Sequence, residues 1–516
     1  MNRLRGCMLV AALSCVGLAG PGSALSASGF GDSTPPAAAA AQKSPLRFES
    51  DHEGRFGGTK IRYKATVEET FLEDAGGQAI ASIVSISYVR TDVPEGEVRP
   101  VIFVFNGGPG SASLWLHMGF VGPRRIDFTN DVAPETTPPF RLTDNAESPL
   151  DVADIVLYDP PGTGFSRILA AGKEEQFFGV EQDAQATADF IESWMLAHDR
   201  WNSPKYLMGE SYGTIRAAVV AKLLAGGPFG TGSMNGITLN GVILLGQSMD
   251  HSGADDGRFL NSLPSLAATA WYHKDELRAG GTLDEHVEAA RVFAAGDYQD
   301  ALYAGWDLDA AAKNRIANEL SALIGISAAV ILEHDLRMSN GTFAELLLAK
   351  EGREVGMYDS RYTLPLANDG NDPVADDPAM GQYVPGFVAA LNQHLRDDLE
   401  VTIDEPYRAI EFRSVNARWN YGYGPGVPPS RSFSGDLATA ARRNPDLRIF
   451  VGTGYYDLVT TLGSAEYTFA HSGIAREAVR FRNYESGHMP YLGEDSRLAL
   501  AEDLRRFVTS RLAAKP

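Results

Sequence analysis

The segment Gly209-Glu210-Ser211-Tyr212-Gly213 places a serine between two glycines, directly after the apolar run KYLM and directly before TIRAAVVAKLL. A sharp turn from strand to helix needs small residues on both sides and leaves the central hydroxyl exposed at a helix N-terminus. Ser211 is therefore a candidate nucleophile for acyl transfer. A serine hydroxyl is nearly inert at its own pKa, so it requires a base, and the base requires an acceptor that orients it. Ten histidines compete for that role. His488, in SGHMP, follows the strand-like AVRFRNY late in the chain, whereas His52 is near the leader, His198 is in a surface helix pattern, and His286 and His334 are in a helical stretch. The order Ser, Asp, His asks for an acid at a strand end between the other two. Asp457, in GYYDL after LRIFVGT, meets this better than Asp446 before that strand or Glu485 on the histidine loop.

Acyl transfer also builds an oxyanion, which must meet preorganised N–H donors. The stretch FNGGPGSASLWLHMGF, 105–120, follows RPVIFVF and packs three glycines and a proline into one turn. Such a turn lets the backbone come close to a substrate. One donor is expected from Tyr212, the residue after the serine, and the other from a glycine of NGG.

The elements that must carry these groups can be read from periodicity. KIRYKATVEE, AIASIVSISYVR and PVIFVF are β-branched, partly alternating runs separated by the turn signals AGGQ and PEGE, which predicts antiparallel strands. DIVLYDPPGTGFS, VEQDAQATADFIESWMLAH, KYLMGESYG, TIRAAVVAKLLAGG and LNGVILLGQS then alternate strand and helix, as parallel crossovers do. Alternation stops after Asp250 and resumes with LATAARRNP, LRIFVGTGYYD, AVRFRNYESGHMP and SRLALAEDLRRFVTSRLA. The reading is an α/β chain with a mostly parallel central sheet. Its core covers 46–250 and 406–516, and a helical cap insertion, 251–405, is expected to cover the cleft.

Residues 1–27 have Arg3 and Arg5, a short apolar run and small residues near Ser23, the form of an export signal. Residues 28–45 read as a flexible leader of Ala, Ser, Pro and Gly. A lipid-anchored reading of Cys15 is disfavoured because the apolar run continues past it. Both cysteines, Cys7 and Cys15, precede residue 28, so the exported chain is expected to form no disulfides. The formal charge of −21 becomes more negative once the two arginines leave. That disfavours nucleic acid or an anionic membrane surface as a partner. No cofactor or metal is expected, since PPGTGFS lacks the Lys-Ser/Thr ending of a phosphate loop and NDGNDPVADDP lacks the spacing of a calcium loop. Periplasmic or extracellular location is the expectation; the composition leaves oligomeric state open.

NGGPGSAS, DPPGTGFS, GESYG, GYYDL and GHMP, in this order and spacing, resemble the serine carboxypeptidase family of α/β-hydrolases, over most of the chain from about Arg47. The resemblance implies a Ser211, Asp457, His488 triad, N–H donors at Gly108 and Tyr212, and recognition of the substrate's free C-terminal carboxylate by Asn106 and Glu210. It also implies acidic pH, because a glutamate helps to bind an anion only when it holds a proton. Three departures stand out. Ser111 occupies a position where many members have cysteine, and Tyr455 one that is usually acidic. Phe120, in GFVGP, stands where peptide-cleaving members carry a second glutamate paired with the first. Without that partner, Glu210 is expected to ionise more easily and to repel a substrate carboxylate, unless another group takes the partner's place. The leading expectation is a serine carboxypeptidase acting on peptides with a free C-terminus through an acyl-enzyme. An esterase or acyltransferase on the same fold is the alternative, and a non-catalytic binding protein the alternative of another class.

Overall fold

The computed structural model describes residues 44–510, except 129–130, 228–235, 250–255, 369, 371 and 423–431. The expected export signal and nearly all of the leader lie outside the described residues. The backbone of the fold is one twisted sheet. Its strands in chain order are β1 (Arg47–Phe56), β2 (Thr59–Glu73), β3 (Ala79–Arg90), β4 (Val101–Phe105), β5 (Asp154–Tyr158), β6 (Lys205–Glu210), β7 (Gly241–Leu245), β8 (Arg448–Gly454) and β9 (Val479–Tyr484). Across the sheet they run β1-β2-β3-β5-β4-β6-β7-β8-β9, and the two-residue strand Arg167–Ile168 pairs with β3 off this path.

The first three strands pair antiparallel with one another, and β3 pairs antiparallel with β5. From β5 to β9 every pairing is parallel. The sequences account for the split. VIFVF, DIVLY and GVILL are apolar at every position and buried at every position, as strands covered on both faces must be. β1, RFESDHEGRF, alternates exposed and half-buried residues, which suits an edge. This is a mixed, mostly parallel sheet with helices on its faces, the α/β-hydrolase architecture.

Helices α1 (Val180–Ala197) and α2 (Tyr212–Leu224) cover one face and bury Phe190, Ile191, Trp194, Ile215 and Val219 against β4, β5 and β6. Between β7 and β8 the chain is mainly helical. It includes α3 (Gly257–His273), α4 (Leu283–Ala294), α5 (Ala310–Ile324) and α6 (Met380–Gln393), with one short hairpin, Arg353–Val355 against Thr363–Pro365. Part of this segment has its own apolar cluster, with Leu263, Leu266, Ile316, Leu320 and Phe343 packed together and joined by Leu458 from beyond β8. A last helix, α7 (Glu494–Thr509), packs Leu500, Leu504 and Phe507 under the sheet. Among the described residues no helix is long and apolar enough to cross a membrane.

Candidate active site

Ser211 is the joint between β6 and α2. Its backbone has φ 58° and ψ −129°, a conformation that a residue with a Cβ adopts only when its surroundings impose it. The neighbours impose it by crowding. A Cβ on Gly209 would overlap the Gly213 carbonyl, and one on Gly107 would stand 2.5 Å from the Tyr212 nitrogen. Only glycine lets β6, α2 and the NGG turn after β4 meet at one point. Ser211 thereby projects beside the N-terminus of α2, where the N–H of Tyr212 has no partner inside the helix.

A buried ion pair holds this joint from behind. Arg216 Nε donates to Asp183 Oδ2 at 2.8 Å, and both side chains are fully buried. Arg216 Nη1 donates to the Asn106 carbonyl at 2.7 Å, and the Tyr212 hydroxyl donates to Asp183 Oδ2 at 3.3 Å. One guanidinium thus ties α1, α2 and the NGG turn together.

Asp457 and His488 come from the loops after β8 and β9, neighbours in the sheet. His488 Nδ1 is 2.9 Å from Asp457 Oδ2. The carboxylate is itself pinned: Oδ1 accepts from the N–H groups of Val459 and Thr460, each at 2.8 Å, and Oδ2 accepts from Thr460 Oγ1 at 2.6 Å. Thr460 Oγ1 also lies 3.0 Å from His488 Nδ1. The His488 N–H donates to the Tyr358 carbonyl at 2.6 Å, which fixes the loop. Burial opposes a charge on His488, but the Asp457 and Glu210 carboxylates outweigh it and hold the imidazole above its ordinary pKa of 6.5. An imidazole whose Nδ1–H points at a buried carboxylate presents Nε2 as a base.

Ser211 and His488 line one cleft together with Gly107, Gly108 and Glu210. No hydrogen bond joins the Ser211 hydroxyl to His488 among the described residues. The cleft is small, about 70 Å³, and its other walls are Ser111, Trp115, Tyr358, Val374, Met380, Ile410, Phe412 and Met489. It lies at the carboxyl ends of the parallel strands, where sheets of this kind bind ligands. A larger cavity opens at the opposite strand ends, near Asn240 and Arg448, and contains none of the candidate residues.

Glu210 lines the cleft, and Asn106 is buried beside it. Asn106 Nδ2 donates to Glu210 Oε1 at 2.8 Å, while Asn106 Oδ1 accepts from the Leu116 N–H at 3.1 Å. Glu210 is 3% exposed, and its Oε2 has no directed hydrogen bond. Burial pushes its carboxyl up to about 7, against smaller opposing effects of the His488 charge and of the Tyr491 and Asn106 side chains. The expected easy ionisation of Glu210 is therefore corrected: desolvation of the charged form outweighs the loss of a carboxyl partner. Phe120 is fully buried, and its ring stacks on Tyr491 with centroids 5.8 Å apart and planes at 10°.

The structure thus gathers Ser211, His488, Asp457, Asn106, Glu210, Gly108 and Tyr212 around one cleft. The other two departures are accommodated locally. Ser111 Oγ accepts from Trp115 Nε1 at 2.8 Å, and the Tyr455 hydroxyl donates to Asp284 at the start of α4. Sequence reasoning missed Thr460, whose spacing of three after Asp457 is a local side-chain-to-backbone motif. It also missed Ile410 and Phe412, which line the cleft from outside the expected cap boundaries, and Tyr491, which carried no motif.

Comparison with known proteins agrees with the fold. The structure is similar to Kex1(delta)p, a prohormone-processing carboxypeptidase from Saccharomyces cerevisiae, with 15% identity, a TM-score of 0.54, and coverage of 87% of this chain and 91% of that one. Two further similar structures are VinJ, with 15% identity, a TM-score of 0.37 and coverage of 86% and 99%, and proline iminopeptidase of Mycobacterium smegmatis, with 14%, 0.33, 89% and 99%. No curated protein matches the chain. Residues 88–262, which run from β3 through Ser211 into α3, match the serine carboxypeptidase family, Peptidase_S10.

Proposed function

We propose that the protein is an exported serine carboxypeptidase, which removes residues from the C-termini of peptides through an acyl-enzyme. The observation that carries this reading is Glu210, hydrogen-bonded to Asn106, in the same cleft as Ser211 and the Asp457-oriented His488. In this scheme Ser211 Oγ attacks the last peptide carbonyl while His488 Nε2 takes its proton. The oxyanion meets the N–H groups of Gly108 and Tyr212. Collapse breaks the C–N bond, His488 returns the proton to the leaving amine, and the C-terminal residue departs. Water then repeats the sequence on the ester and releases the shortened peptide. Protonated Glu210 and the Asn106 amide hold the departing residue's carboxylate, and the apolar walls favour apolar side chains. Export is supported by the form of residues 1–27.

The test compares an N-blocked dipeptide with a free C-terminus against its amide and methyl ester from pH 5 to 9, with Ser211→Ala as the control. The free acid should be preferred below about pH 7, where Glu210 keeps its proton, and the preference should fade above it. An amide or ester preferred at every pH would point instead to an esterase or acyltransferase.

A further inference from the structure

Tyr491 lies three residues beyond His488, is 1% exposed, and packs in the apolar cluster around the sheet. Its hydroxyl is within electrostatic reach of Glu210 and of Asn106. The hydroxyl interacts with the Glu210 carboxyl, and neither it nor Glu210 Oε2 has an aligned partner elsewhere. A buried phenol and a buried carboxyl oxygen with only each other, next to a cleft, form a polar site with hydrogen-bonding capacity left over.

The ring is held where it is. Phe120 stacks on it, and a Cβ on Gly119 would overlap Tyr491 Cε2. The phenol is thus held by two consecutive residues of the helical segment His117–Val121, which follows the turn that carries Asn106. The charged and titratable groups facing this corner are His488 and Asp457, beside Glu210, and Tyr383, beside Tyr491.

Resting on the carboxypeptidase reading, we propose that Tyr491 is a positioning residue for substrate recognition, whose phenol hydroxyl orients the proton-bearing oxygen of Glu210 toward the C-terminal carboxylate of a peptide. Asn106 occupies Oε1. With the phenol at Oε2, the remaining direction for the Glu210 proton is into the cleft. Phe120 then acts through Tyr491: its ring replaces a carboxyl partner by seating a phenol. Because a phenol this buried stays protonated, the pair carries one titrating carboxyl instead of two.

The experiment measures KM and kcat for the N-blocked dipeptide acid and its methyl ester from pH 5 to 9 in wild type and Tyr491→Phe, which keeps the ring and removes one oxygen. The phenol favours ionised Glu210, so its loss should move the pH at which free-acid preference fades upward by roughly half a unit or more. At pH 6, KM for the acid should rise about tenfold more than KM for the ester, through misorientation of Glu210. Phe120→Leu, which unseats the ring without touching Glu210, should shift both readouts the same way and serves if Tyr491→Phe does not accumulate. An unmoved midpoint, or equal losses on acid and ester, overturns this inference alone. A wild type with no free-acid preference at any pH overturns the carboxypeptidase reading and this inference with it.

Discussion

Replacing Glu210 by glutamine should change the pH dependence of stability, whatever the substrate. In the folded protein, burial moves the carboxyl from its ordinary 4.5 to about 7. At about 1.4 kcal/mol for each unit, that difference is worth roughly 3 kcal/mol. Below about pH 4.5 both folded and unfolded chains hold the proton, and the group costs nothing. Between 4.5 and 7 the unfolded chain releases the proton while the folded one keeps it, so this group's contribution to stability falls as pH rises and levels off above 7. Glutamine has no proton to lose, so Glu210→Gln should gain on wild type by about 3 kcal/mol between pH 4.5 and 8. For 516 residues, an unfolding entropy near 2.1 cal/mol/K per residue makes 1 kcal/mol worth about 1 °C. Paired thermal scans should therefore show the difference in Tm between variant and wild type changing by about 3 °C in favour of the variant. A difference that stays constant within 1 °C would mean that Glu210 ionises as an exposed glutamate does, and the account of the cleft's polar end would be wrong.

Other substitutions probe the remaining joints. Asp457→Asn should lower kcat by about 10⁴-fold and bring the acid limb of methyl ester hydrolysis down from its position above pH 6.5, since the carboxylate that raises His488 is gone; a limb that stays in place would refute that coupling. Gly107→Ala should lower kcat roughly 10²-fold or more by pushing the NGG turn off the Tyr212 nitrogen, whereas Gly435→Ala, on a helix with open space around it, should leave kcat alone. Asp183→Asn should cost about 3–5 kcal/mol by leaving Arg216 charged and unpaired in the core; denaturant titration showing less than about 1 kcal/mol would mean that the pair is not what holds the joint.

Much of this was legible where physical constraints act locally. The double-sided burial of the central strands writes continuous apolar runs, so β4, β5, β6 and β7 could be read directly. The crowding at Ser211 writes its own glycines. β1 was not read as a strand because RFESDHEGRF has only Phe48 and Phe56 as large apolar residues on its inward face, with Ser50, His52 and Gly54 between them; its sheet neighbour is β2 alone. Thr460 and Tyr491 escaped for a different reason. Each acts on a group brought to it by folding, and a threonine or tyrosine has no spacing rule that announces such a partner. The titration of Glu210 ran against expectation because it depends on solvent exclusion, a property of the closed cleft and not of any neighbour in the chain.

The distribution of these residues along the chain has a consequence for biosynthesis. The Ser211 joint is complete by Leu245, whose carbonyl accepts from the Ser211 N–H, whereas Asp457 and His488 follow the last two strands of the sheet. A ribosome delivers the chain from its N-terminus, and folding units form in that order. In a chain that folded as it emerged, the Ser211 joint would precede Asp457 and His488 by more than 200 residues. A nascent or prematurely ended chain has the nucleophile's setting without its activation. On the proposed reading, the base joins the nucleophile only when the last two strands are in place.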